Sequence, residues 1–254
     1  MKHNTILVEV CCGSIDDAIQ AEAHGADRIE LNSAFFLGGL TPSYGTFQEC
    51  KQRLNIPIMV MVRPRSGGMH YSEAEFATML RDAEHFAEAG ADGIVFGCLN
   101  ANGSIDIPRT QQMMAAIGAK QAVFHRAFDV TPDPLAALDT LIDLGVQRVL
   151  TSGQQSNVFD GYRLIQRLLC HAAGRIEILP GAGLNEHNIA QFVVLTGVNQ
   201  VHIAPMGWNN DLSTSGNPAI NYGGALYPSE IRFEAVDGDI MRRMKEQLLP
   251  KREI

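Results

Sequence analysis

The sequence lacks long apolar stretches, clusters of basic residues and paired cysteine motifs, and each absence argues against a class of protein. No apolar stretch approaches the roughly 18 residues of a membrane-spanning helix. Lys and Arg are nowhere concentrated and the formal net charge is −8, which argues against a nucleic-acid binder. The five cysteines follow no regular spacing, so we expect no disulfide framework. Residues 1–5 lead directly into a strand-like run, so we expect no secretory signal peptide, and a cytoplasmic protein with reduced thiols.

What the sequence does contain is a set of eight short apolar runs that are typical of buried strands. They lie at residues 5–8, 28–31, 58–62, 93–96, 122–124, 148–150, 176–179 and 200–203. Their spacing of roughly 20 to 35 residues is what one strand, one helix and two loops consume. Eight such units predict an α/β protein, a (β/α)8 TIM barrel that forms a single domain over residues 1–254.

Helix signals lie between the runs. Ser14 and Ser72 are N-cap candidates followed by acidic residues, and Pro134 opens a third helical pattern. After the eighth run, residues 205–235 are rich in Pro, Gly and Asn and predict a long irregular segment before a last helix near 239–248. This segment is expected over the active face or in an oligomer contact, and the sequence leaves both open.

Polar residues follow the first strands on one face. Period-two alternation places Glu9 with Cys11, and Glu30 with Asn32, on the same face of neighbouring strands. Two buried carboxylates need a proton, a metal ion or an arginine. The strand ends offer three arginines, Arg63, Arg65 and Arg126. The alternative is an internal network of ion pairs that stabilises the barrel.

The densest polar group is the segment 125–129. His125 is a candidate general acid or base, Arg126 a candidate clamp for an oxyanion, and Asp129 can orient either. Since adjacent strand residues point to opposite sides, one of His125 and Arg126 must either reach the barrel mouth from the loop or pack outward.

A glycine-bearing turn follows the seventh run. Gly181 and Gly183 precede a helix expected near residues 185–186, and phosphate in such barrels binds against loops of this kind. Ser152, after the sixth run, can donate to the same anion. A turn required only by packing explains the glycines equally well.

For metal binding the residues by themselves offer little. Cys11 and Cys98 stand at strand ends, whereas Cys12 points away from Cys11 in a regular strand. Cys50 and Cys170 lie on helix-like stretches. These positions alone do not predict a metal site.

Several short motifs are spread over almost the whole chain. They lie at residues 9–11, 25–31, 38–43, 63–65, 124–129, 148–153, 181–183 and 201–202. Together they resemble the CutC family of copper homeostasis proteins. The resemblance implies a (β/α)8 barrel, a cytoplasmic location, homodimers or homotetramers, and Cu(I) binding.

Two positions depart from the family pattern. Family members commonly carry cysteine where this chain has Asn32, so Cys11 lacks the thiol partner that the resemblance implies. Cys98, Met61 or His202 are the candidates to replace that thiol. Gly68 stands where relatives often have an acidic residue.

The sequence therefore predicts a CutC-like barrel assigned to copper homeostasis, with Cys11 as the metal ligand. The alternative is an enzyme that acts on a small anionic substrate, and a non-catalytic oligomeric scaffold is a third reading. In the enzyme, the catalytic candidates are His125, Glu9 and Glu30. The ligand- and anion-binding candidates are Arg63, Arg65, Arg126, Asp129, Ser152, Gly181, Gly183 and His202. The expected partners are a small molecule or a metal ion and further copies of the chain, with no nucleic acid and no membrane.

Overall fold

Eight parallel strands form the barrel that the spacing predicts. The computed structural model describes residues 6–220, 222 and 230–249. The strands are β1 (Leu7–Cys12), β2 (Arg28–Leu31), β3 (Ile58–Met61), β4 (Gly93–Phe96), β5 (Gln121–Phe124), β6 (Arg148–Thr151), β7 (Glu177–Pro180) and β8 (Gln200–Ile203). Their hydrogen-bonded order is β7-β6-β5-β4-β3-β2-β1-β8, and β7 packs beside β8 to complete the ring. The TIM-barrel fold is confirmed; that residues 1–254 form one domain stays a prediction.

Helices surround the strands. They are α1 (Ile15–Ala23), α2 (Tyr44–Arg53), α3 (Glu73–Glu88), α4 (Ile107–Ile117), α5 (Pro134–Asp143), α6 (Tyr162–Ala172), α7 (Ile189–Thr196) and α8 (Gly238–Leu248), with 3-10 helices at Phe35–Leu37 and Arg126–Val130. The predicted start signals act as expected: Ser14 caps α1, Ser72 forms a capping box on α3, and Pro134 opens α5. Among the described helices, none is long and apolar enough to cross a membrane.

The two faces of the strands differ in chemistry. Outward residues such as Val10 and Leu31 belong to the large apolar core between strands and helices. The inward apolar cluster is small and consists of Met59, Met61, Val95 and Val123. Most of the remaining inward positions carry polar or charged side chains, so the barrel interior holds the functional groups as well as a core.

At the amino ends of the strands the interior is closed by ion pairs. Arg28 on β2 bonds to the Glu9 carboxylate on β1, and its Nη2 donates to Gln200 Oε1 at 3.1 Å. Arg148 Nε donates to Glu177 Oε2 at 2.7 Å. The internal network that the sequence analysis left as an alternative therefore exists. It uses Arg28 and Arg148, however, because Arg63, Arg65 and Arg126 follow their strands and lie at the opposite end.

The segment after β8 contains more regular structure than the sequence predicts. Strands β9 (Met206–Asn210) and β10 (Arg232–Val236) pair as an antiparallel hairpin. The Val236 backbone N–H donates to Asp17 Oδ1 on α1 at 2.7 Å, so the hairpin is fixed against α1. Parts of the predicted irregular segment, residues 221 and 223–229, lie outside the described residues.

Candidate functional site

The carboxyl ends of the strands surround a cavity of about 360 Å³. Its polar lining consists of Cys11, Glu30, Asn32, Arg63, His125, Arg126 and His202, and its apolar lining includes Phe35, Met61, Met69, Leu150, Leu184 and Ile203. Among the described residues the lining ends at Ala204, so strands β9 and β10 of the hairpin lie beside the cavity and contribute no lining residue. This end of a (β/α)8 barrel is where its functional groups collect.

Strand alternation explains why these side chains meet. Cys11 and Glu30 are inward residues of β1 and β2, whereas their neighbours Cys12 and Leu31 belong to the outer core. His202 follows the same rule on β8. The predicted placement of Glu9, Cys11, Glu30 and Asn32 on one face agrees with the structure, although Glu9 lies one layer below the cavity, in contact with Arg28.

Cys11, Glu30 and His202 form a compact cluster of buried ligand-type groups. One candidate ligand atom from each lies within 4.8 Å of the others. Asn32 Nδ2 donates to Cys11 Sγ at 3.0 Å and approaches Glu30 Oε1 at 3.3 Å. Within the described residues Glu30 Oε2 has no hydrogen-bond partner. A thiol, an imidazole and a carboxylate at this separation can hold a metal ion.

A carboxylate orients the imidazole of this cluster. His202 Nδ1 lies 2.8 Å from Glu9 Oε1, and the other oxygen of Glu9 bonds to Arg28. Burial opposes ionisation of Glu9, but the charge of Arg28 and the bond to His202 prevail and lower its pKa to about 2. Because Nδ1 is engaged, the remaining nitrogen of His202, Nε2, is the one available for a metal ion or for Cys11.

Burial shapes the ionisation of the other two groups. It raises the pKa of Cys11 above the usual thiol value and, likewise, the pKa of Glu30. Burial also disfavours the charged form of His202. The bond to Cys11 and the nearby Glu30 and Glu9 outweigh that effect and raise the pKa of His202 well above its usual value. Cys11 and His202 therefore retain protons that a bound cation would displace.

His125 lies across the barrel mouth from this cluster, after β5. Its Nδ1 accepts the Ala127 backbone N–H at 3.1 Å. Burial and the positive charge of Arg63 lower the pKa of His125 to about 3, so the ring is neutral at neutral pH and Nε2 carries the hydrogen. Its role as a catalytic residue stays a prediction; in this state it offers a hydrogen-bond donor.

Gly97 makes the position of His125 possible. A Cβ at Gly97 would lie 2.6 Å from His125 Nδ1 and closer still to Cε1, so only glycine leaves room for the ring. Sequence analysis missed this residue. The signal was its position directly after the run 93–96, where alternation points it inward beside β5.

Arg126 reaches the cavity from the 3-10 helix that follows β5, which is one of the two alternatives that strand alternation left open. Its Nε donates to Asp129 Oδ2 at 2.8 Å and its Nη2 to Ser152 Oγ at 2.9 Å. Asp129 also accepts from Thr151 Oγ1 at 2.5 Å. Asp129 and Ser152 are not cavity-lining residues, so they hold Arg126 in place.

The two arginines that follow β3 separate. Arg63 lines the cavity, and its guanidinium donates to the carbonyl oxygens of Leu37, Gly39 and Gly67 at 2.9, 3.0 and 2.8 Å. Arg65 instead donates to Glu75 Oε1 at 2.5 Å outside the cavity. The predicted clamp of three arginines is therefore not assembled, since β3 ends at Met61 and alternation no longer governs Arg65.

The glycine turn after β7 lies beside the cavity. Gly181 provides space for His202, because a Cβ at Gly181 would lie 3.0 Å from His202 Cβ. Gly183 lines the cavity in the left-handed region with φ of 86°. Helix α7 begins at Ile189, and its N-cap residue Asn188 donates from Nδ2 to the Gly183 carbonyl oxygen at 2.9 Å. Anion binding at this turn stays a prediction.

Arg28 and Arg148 are the functional candidates that sequence reasoning missed most clearly. Both were included in strand runs, and Arg28 shares the inward face with Glu30 by simple alternation. Cys98, considered as a substitute thiol, is buried and is not among the cavity residues, whereas Met61 and His202 are.

Comparison with known proteins agrees with the motifs. A model of the CutC family matches residues 6–207. The chain is 49% identical over 243 residues to a family protein CutC of Treponema denticola, covering 96% of this chain and 99% of the relative. It is 41% identical over 234 residues to the copper homeostasis protein cutC homolog of Homo sapiens, covering 92% and 86%.

Solved structures give the same result. A CutC crystal structure from Streptococcus agalactiae superposes with a TM-score of 0.75 at 34% identity, covering 78% of this chain and 97% of that one. A phosphoribosylanthranilate isomerase from Pyrococcus furiosus gives 0.53 at 14% identity, covering 96% and 98%, and this likeness shows the fold alone. On sequence and structure together, the chain belongs to the CutC family of copper homeostasis proteins.

Proposed function

We propose that this chain binds a Cu(I) ion as its cargo at Cys11 and His202, with Glu30 as a third neighbour. One observation carries the proposal: the ligand atoms of these buried residues lie within 4.8 Å of one another at the wall of the cavity. Thiolate and imidazole are ligands that copper accepts, and the thioether of Met61 lines the same cavity.

The surroundings of His202 support this assignment. Metal-binding histidines usually direct their second ring nitrogen to a carboxylate, which fixes the ring and the tautomer. Here Glu9 accepts from Nδ1 at 2.8 Å, and Arg28 keeps Glu9 ionised. The imidazole is therefore oriented before any ion arrives.

Asn32 limits the affinity that we expect. It occupies the position of the second family thiol and directs its amide nitrogen at Cys11 Sγ. An amide nitrogen does not bind Cu(I), so the ion has one thiolate instead of two. Asn32→Cys should strengthen Cu(I) binding, because it supplies a second soft ligand beside Cys11.

The test is a competition titration of the anaerobic protein against a chromophoric Cu(I) chelator. We expect Cys11→Ser to abolish uptake and Asn32→Cys to increase the affinity. Cys170→Ser is the matched control, since Cys170 is an exposed thiol on α6 and should leave uptake unchanged. Full uptake by Cys11→Ser would refute the proposal.

The alternative, an enzyme that acts on a small anionic substrate, stays a prediction. The size of the cavity favours it, because about 360 Å³ exceeds the space of a single ion and falls within the roughly 300–1,000 Å³ of small-molecule sites. We expect a mixture of small carboxylates and phosphates, followed by NMR, to show turnover that Glu30→Gln removes. No change in any compound would contradict this reading.

We also infer a cytoplasmic location and a homodimer or homotetramer. All five cysteines are free, which suits a reducing compartment and a protein that handles Cu(I). On the hairpin, Trp208 and Phe233 remain about half exposed, and such apolar surface favours contact with a second copy. Cell fractionation and sedimentation velocity test the two points; a monomer at micromolar concentration would refute the second.

A further inference from the structure

Arg63 is a buried cation whose hydrogen-bond partners are all neutral. Its exposed fraction is 5%, and its three bonds go to backbone carbonyl oxygens. Among the described residues no carboxylate lies within ion-pair distance, and Nε has no partner. Arg28 and Arg148, by contrast, each contact a carboxylate. Because an uncompensated buried charge is costly, a ligand that brings a negative group to Arg63 gains free energy.

His125 lines the same cavity as Arg63 and adds a hydrogen-bond donor; together with Arg126 the two residues form what we call the polar wall of the cavity. With Nδ1 occupied by the Ala127 N–H, the hydrogen of the neutral ring resides on Nε2, which is buried and has no partner in the described part of the chain. The Nδ1–Cε1 edge of the ring packs against Gly97. A buried donor without a partner also favours a ligand that accepts from it.

Arg126 is the third polar residue of this wall, and the exposed part of its side chain can contact a ligand. Its side chain is 44% exposed, lines the cavity, and is fixed in direction by Asp129 and Ser152. The three residues extend from β3 and β5, whereas Cys11, Glu30 and His202 extend from β1, β2 and β8. Since β5 lies opposite β1 in the ring, His125 and Arg126 face Cys11 across the barrel mouth, whereas Arg63 follows β3, the neighbour of β2.

We propose that the wall formed by Arg63, His125 and Arg126 binds the carboxylate of a small aliphatic molecule. Two cations and one neutral donor suit the two oxygens of a carboxylate. Phosphate in such barrels uses backbone N–H groups at a helix start, and no residue of α7 lines this cavity. The apolar lining, with Met61, Leu150 and Leu184 among its members, suits a short aliphatic body. The site does not depend on the proposed copper ligands.

The test is calorimetric titration of the metal-free protein, kept in a chelator, with isobutyrate and with isobutyramide. The two probes have nearly the same shape, but only isobutyrate carries a charge. We expect isobutyrate to bind about 10- to 100-fold more tightly, the range for hydrogen bonds to charged groups. Equal affinity for both probes, or no binding of either at tens of millimolar, overturns the proposal. Because no metal is present, the result is independent of copper binding.

Variants locate the binding. His125→Asn keeps an oxygen that can cap Ala127 but removes the Nε2 donor, and Arg126→Gln removes a cation whose side chain is partly exposed. Each should weaken isobutyrate binding at least about tenfold. Arg65→Gln is the matched control, since this arginine lies outside the cavity, and it should leave affinity unchanged. Equal effects of Arg65→Gln and Arg126→Gln, or tighter binding of inorganic phosphate than of isobutyrate, would overturn the assignment.

Discussion

At the scale of single residues, the positive charges inside the barrel differ in how they are compensated. Arg28 and Arg148 contact carboxylates in the lower layer, and Arg126 contacts Asp129 at the mouth. The guanidinium of Arg63 donates to the carbonyl oxygens of Leu37, Gly39 and Gly67, and it forms no ion pair with a carboxylate of the described residues. The arginines that contact carboxylates stabilise the interior as ion pairs, whereas the positive charge of Arg63 is not balanced by a carboxylate and acts on the cavity. Burial, together with this charge, lowers the pKa of His125.

The free energy of unfolding at acidic pH should depend on the burial of His125. Its pKa is lowered from 6.5 to about 3, so between these pH values the unfolded state binds a proton that the folded state does not. Stability from this group is thus fully present above pH 6.5 and is lost as pH falls toward 3, by about 1.4 kcal/mol per pH unit.

The variant His125→Asn should remove this contribution. We expect the free energy of unfolding, measured with urea from pH 7 to pH 4, to fall less steeply in His125→Asn than in the parent protein. His187→Asn is the control, because His187 lies on the exposed turn before α7. Identical slopes for the parent and His125→Asn would show that His125 titrates normally in the folded protein.

At the scale of secondary-structure elements, the hairpin β9–β10 depends on one buried side chain of α1. Asp17 accepts from the Val236 N–H at 2.7 Å and from the Gly13 N–H at 3.0 Å. The first bond joins the hairpin to the helix, and the second fixes the turn after β1, which carries Cys11. The same carboxylate therefore connects the hairpin with the loop beside the cavity.

Replacing Asp17 should release the hairpin while leaving the barrel folded. Asp17→Ala leaves two backbone donors without their acceptor, at about 1–3 kcal/mol each. We expect faster hydrogen exchange at the Val236 amide and a lower unfolding midpoint. Asp16→Ala is the matched control, since Asp16 is exposed in the same helical turn and contributes only about 0.3–1 kcal/mol through the helix dipole. Unchanged exchange at Val236 in Asp17→Ala would refute this link.

At the scale of the whole molecule, the barrel interior has two layers with different tasks. The lower layer, with Arg28, Glu9, Arg148 and Glu177, joins β1, β2, β6 and β7 through ion pairs. The upper layer forms the cavity. Glu9 belongs to the lower layer but also contacts His202 of the upper one, so barrel stability and the candidate metal site are coupled.

Arg28→Met should test this coupling. It leaves the Glu9 carboxylate buried without its main cation, and breaking a buried pair in this way costs about 3–5 kcal/mol. We expect a lower free energy of unfolding in urea and a metal affinity reduced about 10- to 100-fold through His202. Arg163→Met, at an exposed position on α6, is the control. A loss below about 1 kcal/mol together with an unchanged metal affinity would refute the coupling.

The barrel could be predicted from the sequence alone, because the signals for its strands and helices are local. Strand runs, N-caps such as Ser14 and Ser72, and alternation along β1 and β2 act within a few residues, so they also predicted which side chains point inward. The hairpin was not predicted, because β9 and β10 are separated by about twenty residues and pair only in three dimensions.

The partners of the charged residues were decided only by the tertiary structure. Arg63 and Arg65 are two residues apart and chemically identical, yet one enters the cavity and the other pairs with Glu75 on α3. Likewise Glu9 meets His202, which lies 193 positions away in sequence. Electrostatic contacts depend on distance in space, and distance in space between strands follows from closing the ring. The sequence alone therefore placed the candidate site at the strand ends, and closure of the barrel determined which side chains lie together there.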